Sequence, residues 1–334
     1  MEARSVEALP EGPGWQFEPK WDGFRCLAFR QGDAVDLRAK SGKPLGRYFP
    51  EVVETLRRLP HDRVVLDGEL LIPVGGALSF DALQMRLHPA ETRVRKLAAE
   101  TPATFMLFDC LMAPEGPPLA PEPLTRRRAA LEGFFGGLED RRGLALTPFT
   151  RDLAEAQAWL GRAGGALDGV IAKRLDEAYQ PGERAMLKVK RLRTADCVVG
   201  GFRYESAGRR VGSLLLGLYD NDGRLNHVGF TSSLPAAERE ALTARLEALR
   251  EPPGFTGRAP GGPSRWSTGR SGDWEPLRPE LVVEVRYDHA GADRFRHGTK
   301  LLRWRPDKAP RQCTMEQLRQ EAAPEVVAEA LRAL

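Results

Sequence analysis

The chain has 334 residues, 42% hydrophobic and 29% charged, which allows a sizeable core and about two domains. No apolar run approaches the roughly 18 residues of a membrane span, and the first fifteen residues carry acids and prolines where a signal peptide would be apolar. Cys26, Cys110, Cys197 and Cys313 are scattered with no C-x-x-C pair, which argues against a disulfide framework or structural zinc and for a reducing cytoplasm.

In chain order, short β-branched or alternating runs predict strands over 24–30, 34–40, 63–74, 103–112, 168–175 and 185–190. Helices are expected between them. The segment 50–59 begins with Pro50 at the first helical position, and 80–87 follows Ser79, a good N-cap. Apolar spacing of three to four predicts two more helices, over 124–135 and 152–163. Gly- and Pro-rich stretches at 113–123 and 252–263 read as loops.

From about residue 195 the texture changes to strands over 196–205, 212–220, 224–231 and 280–288, with one helix over 235–250. About five strands and one helix form a small Greek-key barrel of the OB type. The expected fold class is therefore α+β: a first domain of antiparallel sheets with helices over 1–192, then an OB-fold barrel over 193–334. The last helix, 324–334, is assigned to the second domain.

Charge follows the same division. Residues 1–190 hold 27 basic and 27 acidic side chains, whereas 191–334 hold 23 and 19, the whole of the net +4. Within 256–311 twelve basic and seven acidic residues are interleaved with Trp266, Trp274, Phe295 and Trp304. That pattern suits a phosphate backbone, and it equally describes a solvated arginine-rich face.

Of the 50 basic residues 41 are arginine and nine are lysine. Arginine does not deprotonate and cannot be a nucleophile, so the retained lysines are the places to look for amine chemistry. The string Glu18-Pro19-Lys20-Trp21-Asp22-Gly23-Phe24-Arg25 sets an amine two residues before an acid and five before a guanidinium. Gly23 is expected to permit a tight turn. Alone, this string fits either an attacking lysine or an exposed turn with a salt bridge.

It is followed by Ser41-Gly42-Lys43, Phe49-Pro50-Glu51, Leu66-Asp67-Gly68-Glu69 and Leu107-Phe108-Asp109. Then come Leu167-Asp168-Gly169-Val170-Ile171-Ala172-Lys173, Leu187-Lys188-Val189-Lys190 and Arg303-Trp304-Arg305-Pro306-Asp307-Lys308. This ordered set resembles the covalent nucleotidyltransferase superfamily of ATP-dependent DNA ligases, RNA ligases and mRNA capping enzymes. Within it the chain looks most like the short two-domain bacterial DNA ligases associated with non-homologous end joining.

The resemblance implies an adenylation domain followed by the OB domain, with ATP and Mg²⁺ or Mn²⁺ as cofactors. It makes Lys20 the nucleophile toward the α-phosphate of ATP. Glu18 would contact the adenine edge, Phe108 would stack on the ring, and Arg25 would reach AMP or the DNA 5′-phosphate. Lys40, where related ligases carry arginine, would touch ribose or phosphate. Glu69 would bind the ribose or a metal, and Asp168 would bind the metal where many ligases have glutamate. Lys173, Arg184, Lys188 and Lys190 would face the phosphates. Arg303, Arg305, Asp307 and Lys308 would orient pyrophosphate or contact DNA.

The implied partner is nicked or broken duplex DNA, together with end-joining repair proteins. The implied protein is a monomer, cytoplasmic and nucleoid-associated, with no membrane attachment. Two other readings of the same residues stay open: an RNA-directed or GTP-using nucleotidyltransferase, and a non-catalytic nucleic-acid-binding relative. Nucleotide choice separates the first from a DNA ligase, and covalent labelling of Lys20 separates the second.

Overall fold

The computed structural model describes residues 1–75, 77–161, 167–206, 208–261, 273–291, 293–318 and 325–332. Trp266, singled out in the basic segment, lies outside the described residues. The chain divides into two compact units, one of Met1–Arg191 with the C-terminal helix and one of Leu192–Gln320.

The first unit opens with β1 (Ala3–Ser5), β2 (Trp15–Trp21), β3 (Phe24–Gln31) and β4 (Ala34–Ala39). Helix α1 (Pro50–Arg57) has its proline in the first turn, where a missing N–H costs nothing. Next are β5 (Arg63–Leu71), the small hairpin β6 (Pro73–Val74) and β7 (Ala77–Leu78), α2 (Phe80–Arg86) and α3 (Glu91–Glu100). Ser79 caps α2, its hydroxyl accepting from the Ala82 amide at 3.2 Å. The unit continues with β8 (Thr104–Met112), α4 (Leu124–Gly136), β9 (Leu144–Leu146), α5 (Leu153–Gly161), β10 (Leu167–Arg174) and β11 (Met186–Val189).

These strands form two main sheets, ordered β1-β11-β10-β2 and β4-β3-β5-β8-β9. All pairings in them are antiparallel except β1 with β11 and β8 with β9. Alternation along β2 turns Phe17 and Trp21 into a core that also holds Val170, Leu71, Met106 and, from α5, Trp159. The residues alternating with them, Gln16, Glu18 and Lys20, are left for the opposite face. A second core under β3, β5 and β8 takes Val52 and Leu56 from α1 and Leu131 from α4.

The second unit contains β12 (Arg193–Tyr204), β13 (Val211–Tyr219), β14 (Leu225–Thr231), α6 (Arg239–Glu247), β15 (Glu275–Pro276), β16 (Val282–Tyr287) and β17 (Lys300–Trp304). The sheet order is β14-β13-β12-β16-β17, and a parallel bridge from Thr231 to Thr299 joins the two outer strands. That closure makes a five-stranded OB-type barrel, filled by Val198, Phe202, Leu214, Leu216 and Val283 among others.

One placement differs from the sequence reading. Helix α7 (Glu325–Arg332) belongs to the first unit, not the second. Val327 is fully buried in the core of Phe17, Trp21 and Trp159, and Ala330 packs on that core. An amphipathic helix follows whichever apolar groove it meets, and its own sequence does not say which.

Candidate active site

Cross-strand register builds the floor of the site. On β10, Lys173 stands opposite Gln16, Ile171 opposite Glu18 and Gly169 opposite Lys20, while Lys188 of β11 stands opposite Ile171. Glu18, Lys20, Ile171 and Lys188 line a cavity of about 210 Å³, which Arg25, Glu69 and Phe108 complete from the other sheet. Glu2, Lys40 and Met186 also line it.

Two glycines act through close approach. A Cβ on Gly23 would stand 2.3 Å from the Leu70 carbonyl and 2.7 Å from Cγ of Glu69. The glycine of Lys-x-Asp-Gly is thus needed for lack of room against β5; its φ is not positive, unlike that of thirteen other glycines among the described residues. Gly169 has φ +143° and would bring a Cβ to 2.1 Å from the Val189 carbonyl.

Two bulges aim the chemistry. The β2–β10 register passes from Leu167 to Gly169, leaving Asp168 unpaired on the bulge. Its Oδ2 lies 2.7 Å from Lys20 Nζ and 3.0 Å from Lys190 Nζ, and its buried Oδ1 has no partner among the described residues. The β5–β8 register likewise skips Phe108, between Asp109 and Leu107. A bulge re-aims a side chain that strict alternation would hold elsewhere, and here it brings Phe108 to the cavity wall.

The cavity has two electrostatic ends. Lys20, Lys40 and Lys188 gather at one, with Lys190 beside them on Asp168. The Lys188 ammonium is held below its ordinary value by burial and by the nearby charges of Lys20, Lys190 and Lys40, with Asp168 opposing. Lys40 pairs with Glu2 at 3.0 Å. Such a cluster suits a polyphosphate, whose charge relieves the repulsion among the amines. Burial pushes the Glu69 carboxyl up to about 8, with Asp67 and Asp22 adding to the rise and Lys20 and Arg25 opposing it.

At the other end Glu18 and Lys173, both nearly inaccessible, pair at 2.7 Å, and Gln16 Nε2 donates to Glu18 Oε1 at 2.8 Å. The Lys173 ammonium sits 4.7 Å from the centre of the Phe108 ring. Lys173 was expected among the phosphate-facing lysines. It lies four residues along β10 from Gly169, about 13 Å at the usual strand rise, and so reaches the opposite end of the cavity.

Arg25 is firmly held. Its Nε and Nη2 donate to Asp67 at 3.0 and 2.6 Å, Nη2 lies 3.2 Å from the Tyr179 hydroxyl, and Nη1 donates to the Met1 carbonyl. Tyr179 also donates to Asp67 at 2.8 Å. Beneath this network the buried Arg127 makes a two-pronged bond to Asp109 at 2.9 and 3.1 Å. It also donates to the Glu122 and Glu177 carbonyls at 2.7 and 3.0 Å. Arg184 is exposed in the turn before β11 and does not line the cavity.

The remaining expected residues form a network inside the second unit. Asp196 accepts from Arg305 at 2.9 Å through one oxygen and from Lys308 at 2.8 Å through the other. Arg303 pairs with Glu284 at 2.6 Å, and Arg305 holds the Asp307 carboxyl down to about 2. Gln317 fixes the Asp196 backbone from both sides, at 2.9 and 3.0 Å.

Sequence reasoning missed Glu2, Gln16, Tyr179 and Asp196. Gln16 was within reach of alternation, standing two and four residues before Glu18 and Lys20. Glu2 comes from a segment with no distinguishing pattern, and Tyr179 and Asp196 lie within recognised segments in which nothing marked those two side chains. For a divalent cation the fit is partial from protein alone: no group of three or more His, Cys, Asp or Glu among the described residues could hold one. Asp168, with its orphaned buried oxygen, and Glu69 supply two carboxylates, the number Mg²⁺ commonly takes when phosphates complete its shell.

A lysine held by one acid among other amines, next to a slot with an aromatic wall, is an arrangement that suits covalent nucleotide transfer. Residues 2–190 match the ATP dependent DNA ligase domain model and 207–308 match the ATP dependent DNA ligase C terminal region. DNA ligase C2 of Mycolicibacterium smegmatis is 48% identical over 95% of this chain and 93% of its own length. DNA ligase C of Mycobacterium tuberculosis is 47% identical over 95% and 92%. A solved Lig E DNA ligase shares the fold at 16% identity and TM-score 0.53, covering 91% of this chain and all of its own. The chain belongs to the ATP-dependent DNA ligase family, and it is an enzyme that forms phosphodiester bonds in DNA using ATP. No helix among the described residues is long and apolar enough to cross a membrane.

Proposed function

We propose that Lys20 is the nucleophile of a three-step sealing of 5′-phosphate and 3′-hydroxyl breaks in duplex DNA. Lys20 Nζ attacks the α-phosphate of ATP. A phosphorus–nitrogen bond forms, the bond to the bridging oxygen breaks, and pyrophosphate leaves. The departing amine proton has an acceptor in Asp168, 2.7 Å away. AMP then passes to the DNA 5′-phosphate, freeing Lys20, and the 3′-hydroxyl displaces AMP to join the strand. The single observation that carries this reading is Lys20, paired with Asp168, on the floor of a cavity lined by further lysines.

Glu18 takes the base edge with Lys173 behind it, and Phe108 the base face. Lys40, Lys188 and Lys190 take the phosphates, and Arg25 lines the cavity between the two ends. Asp168 and Glu69 would hold Mg²⁺ or Mn²⁺, which when bound neutralises charge developing on the phosphates. Arg303, Arg305, Asp307 and Lys308 act on pyrophosphate or DNA from the OB domain, with 190–194 as the hinge between an adenylation domain and that domain. The resemblance to end-joining ligases supports a role in break repair on the nucleoid, by a monomer working with end-joining proteins.

The test is intact mass after incubation with a divalent cation and ATP, or GTP, followed by a chase with 5′-phosphorylated nicked DNA. The sample is first stripped with pyrophosphate, since purified protein can arrive charged. Gain of one AMP from ATP only, lost on the nick, is the expected result. Gain from GTP, or no gain, overturns it.

A further inference from the structure

Gln16 shares its strand face with Glu18 and Lys20, and its side chain is fully buried. Nε2 donates to Glu18 Oε1 at 2.8 Å, while Lys173 holds Glu18 Oε2 at 2.7 Å. The other end of the amide, Oε1, is buried with no partner among the described residues. Turning the amide over would set that oxygen against the carboxylate, so Glu18 dictates the orientation seen. An unmet buried carbonyl is costly, and an apolar side chain of the same volume would avoid that cost. What glutamine adds here is a donor that fixes the Glu18 carboxylate from the side opposite Lys173.

We propose that Gln16 is a positioning residue for nucleobase choice: it locks Glu18 so that the carboxylate meets the amino group on the six-membered ring of adenine. The inference rests on the proposed placement of Glu18 at the base edge. An ionised carboxylate offers only lone pairs. It accepts from that amino group and opposes the carbonyl oxygen that guanine and hypoxanthine carry at the same position. A carboxylate free to rotate still accepts from adenine, but it can also turn away from an opposing oxygen. Losing the lock therefore weakens rejection as well as binding.

The experiment compares nucleotidyl transfer to the stripped full-length chain from ATP and from inosine triphosphate, which differ at that ring position by amine against carbonyl. The variants are Gln16→Met, which keeps the length without the amide, and Gln16→Leu, which fills much of the volume with no polar atom. In each variant KM for ATP rises with kcat little changed, and the ATP preference falls about tenfold, the worth of one oriented hydrogen bond. A preference unchanged in a folded variant overturns the proposal, leaving Gln16 a packing residue. So does a wild-type chain that takes both nucleotides equally. If Gln16→Met fails to fold, Gln16→Leu decides. A wild-type chain that gains no AMP from ATP counts against Lys20 as nucleophile instead, so the two failures are distinguishable.

Discussion

Lys20 Nζ and Lys190 Nζ meet at one atom, Oδ2 of Asp168, at 2.7 and 3.0 Å. The acid balances two amines that would otherwise repel, and its bulged position keeps it from being tied into the strand ladder. Asp168→Asn preserves the outline and removes the charge. The rate of AMP transfer to Lys20 is expected to fall about 100-fold, the usual worth of a positioned acid or base. A time course of intact mass checks it, and a wild-type rate would remove this carboxylate from the step.

Lys20→Arg keeps a cation near Asp168 but supplies no nucleophile, because guanidinium stays protonated. No covalent AMP should form at any ATP concentration. Mass spectrometry reads this directly, and labelling of the variant would assign the chemistry to another lysine.

Phe108 owes its place in the cavity to the slip between Asp67–Asp109 and Gly68–Leu107. Phe108→Ala removes the aromatic wall, and KM for ATP in the adenylylation reaction is expected to rise about tenfold, near the upper worth of an aromatic contact. Phe108→Tyr should restore most of it. Equal KM values for all three proteins would leave the base without a stacking partner here.

The chemistry was legible where residue type itself is informative. Lysine is rare in an arginine-rich chain, so Lys20, Lys40, Lys188 and Lys190 stood out and the structure brings all four together. Strand periodicity could not show the bulges, because a one-residue slip leaves no mark in composition. Hence the apolar run around Phe108 fitted core as well as stacking, and it is the family resemblance, not periodicity, that assigned Phe108 to the base and Asp168 to a metal. Lys173 was assigned to the phosphates by its motif, but position along β10 decides which end of the cavity a side chain reaches. Helix α3 escaped notice because Val94 and Ala98 are its only buried residues in a largely charged segment. In the barrel, β17 was read only as a motif, since its residues are mostly exposed and do not alternate.

Arg127 and Asp109 are both buried, and Arg127 also ties down the Glu122 and Glu177 carbonyls. Arg127→Met would leave Asp109 charged in the interior with its guanidinium partner gone. Removing one member of a buried pair costs about 3–5 kcal/mol, and a loss of that size in denaturant unfolding is expected. Arg127→Met combined with Asp109→Leu should recover part of it, since no orphaned charge remains. A single variant as stable as wild type would show the pair to be dispensable.

His227, on β14, packs edge-on against Phe255 with ring centres 5.4 Å apart, and its buried Nε2 has no partner among the described residues. Burial, followed by the charges of Arg203, Arg258 and Arg294, lowers its imidazole to about 4 from the ordinary 6.5. Between those values the unfolded chain binds a proton that the folded chain refuses, so stability falls as pH drops from 6.5 toward 4. At pH 5 this group should cost about 2 kcal/mol relative to pH 7.5, from one and a half units at 1.36 kcal/mol each. His227→Phe keeps the ring contact and cannot titrate. Its loss of stability between pH 7.5 and 5, measured by denaturant unfolding, should therefore be smaller than that of the wild type by about that amount. Equal losses in the two proteins would mean that His227 takes up its proton as readily folded as unfolded.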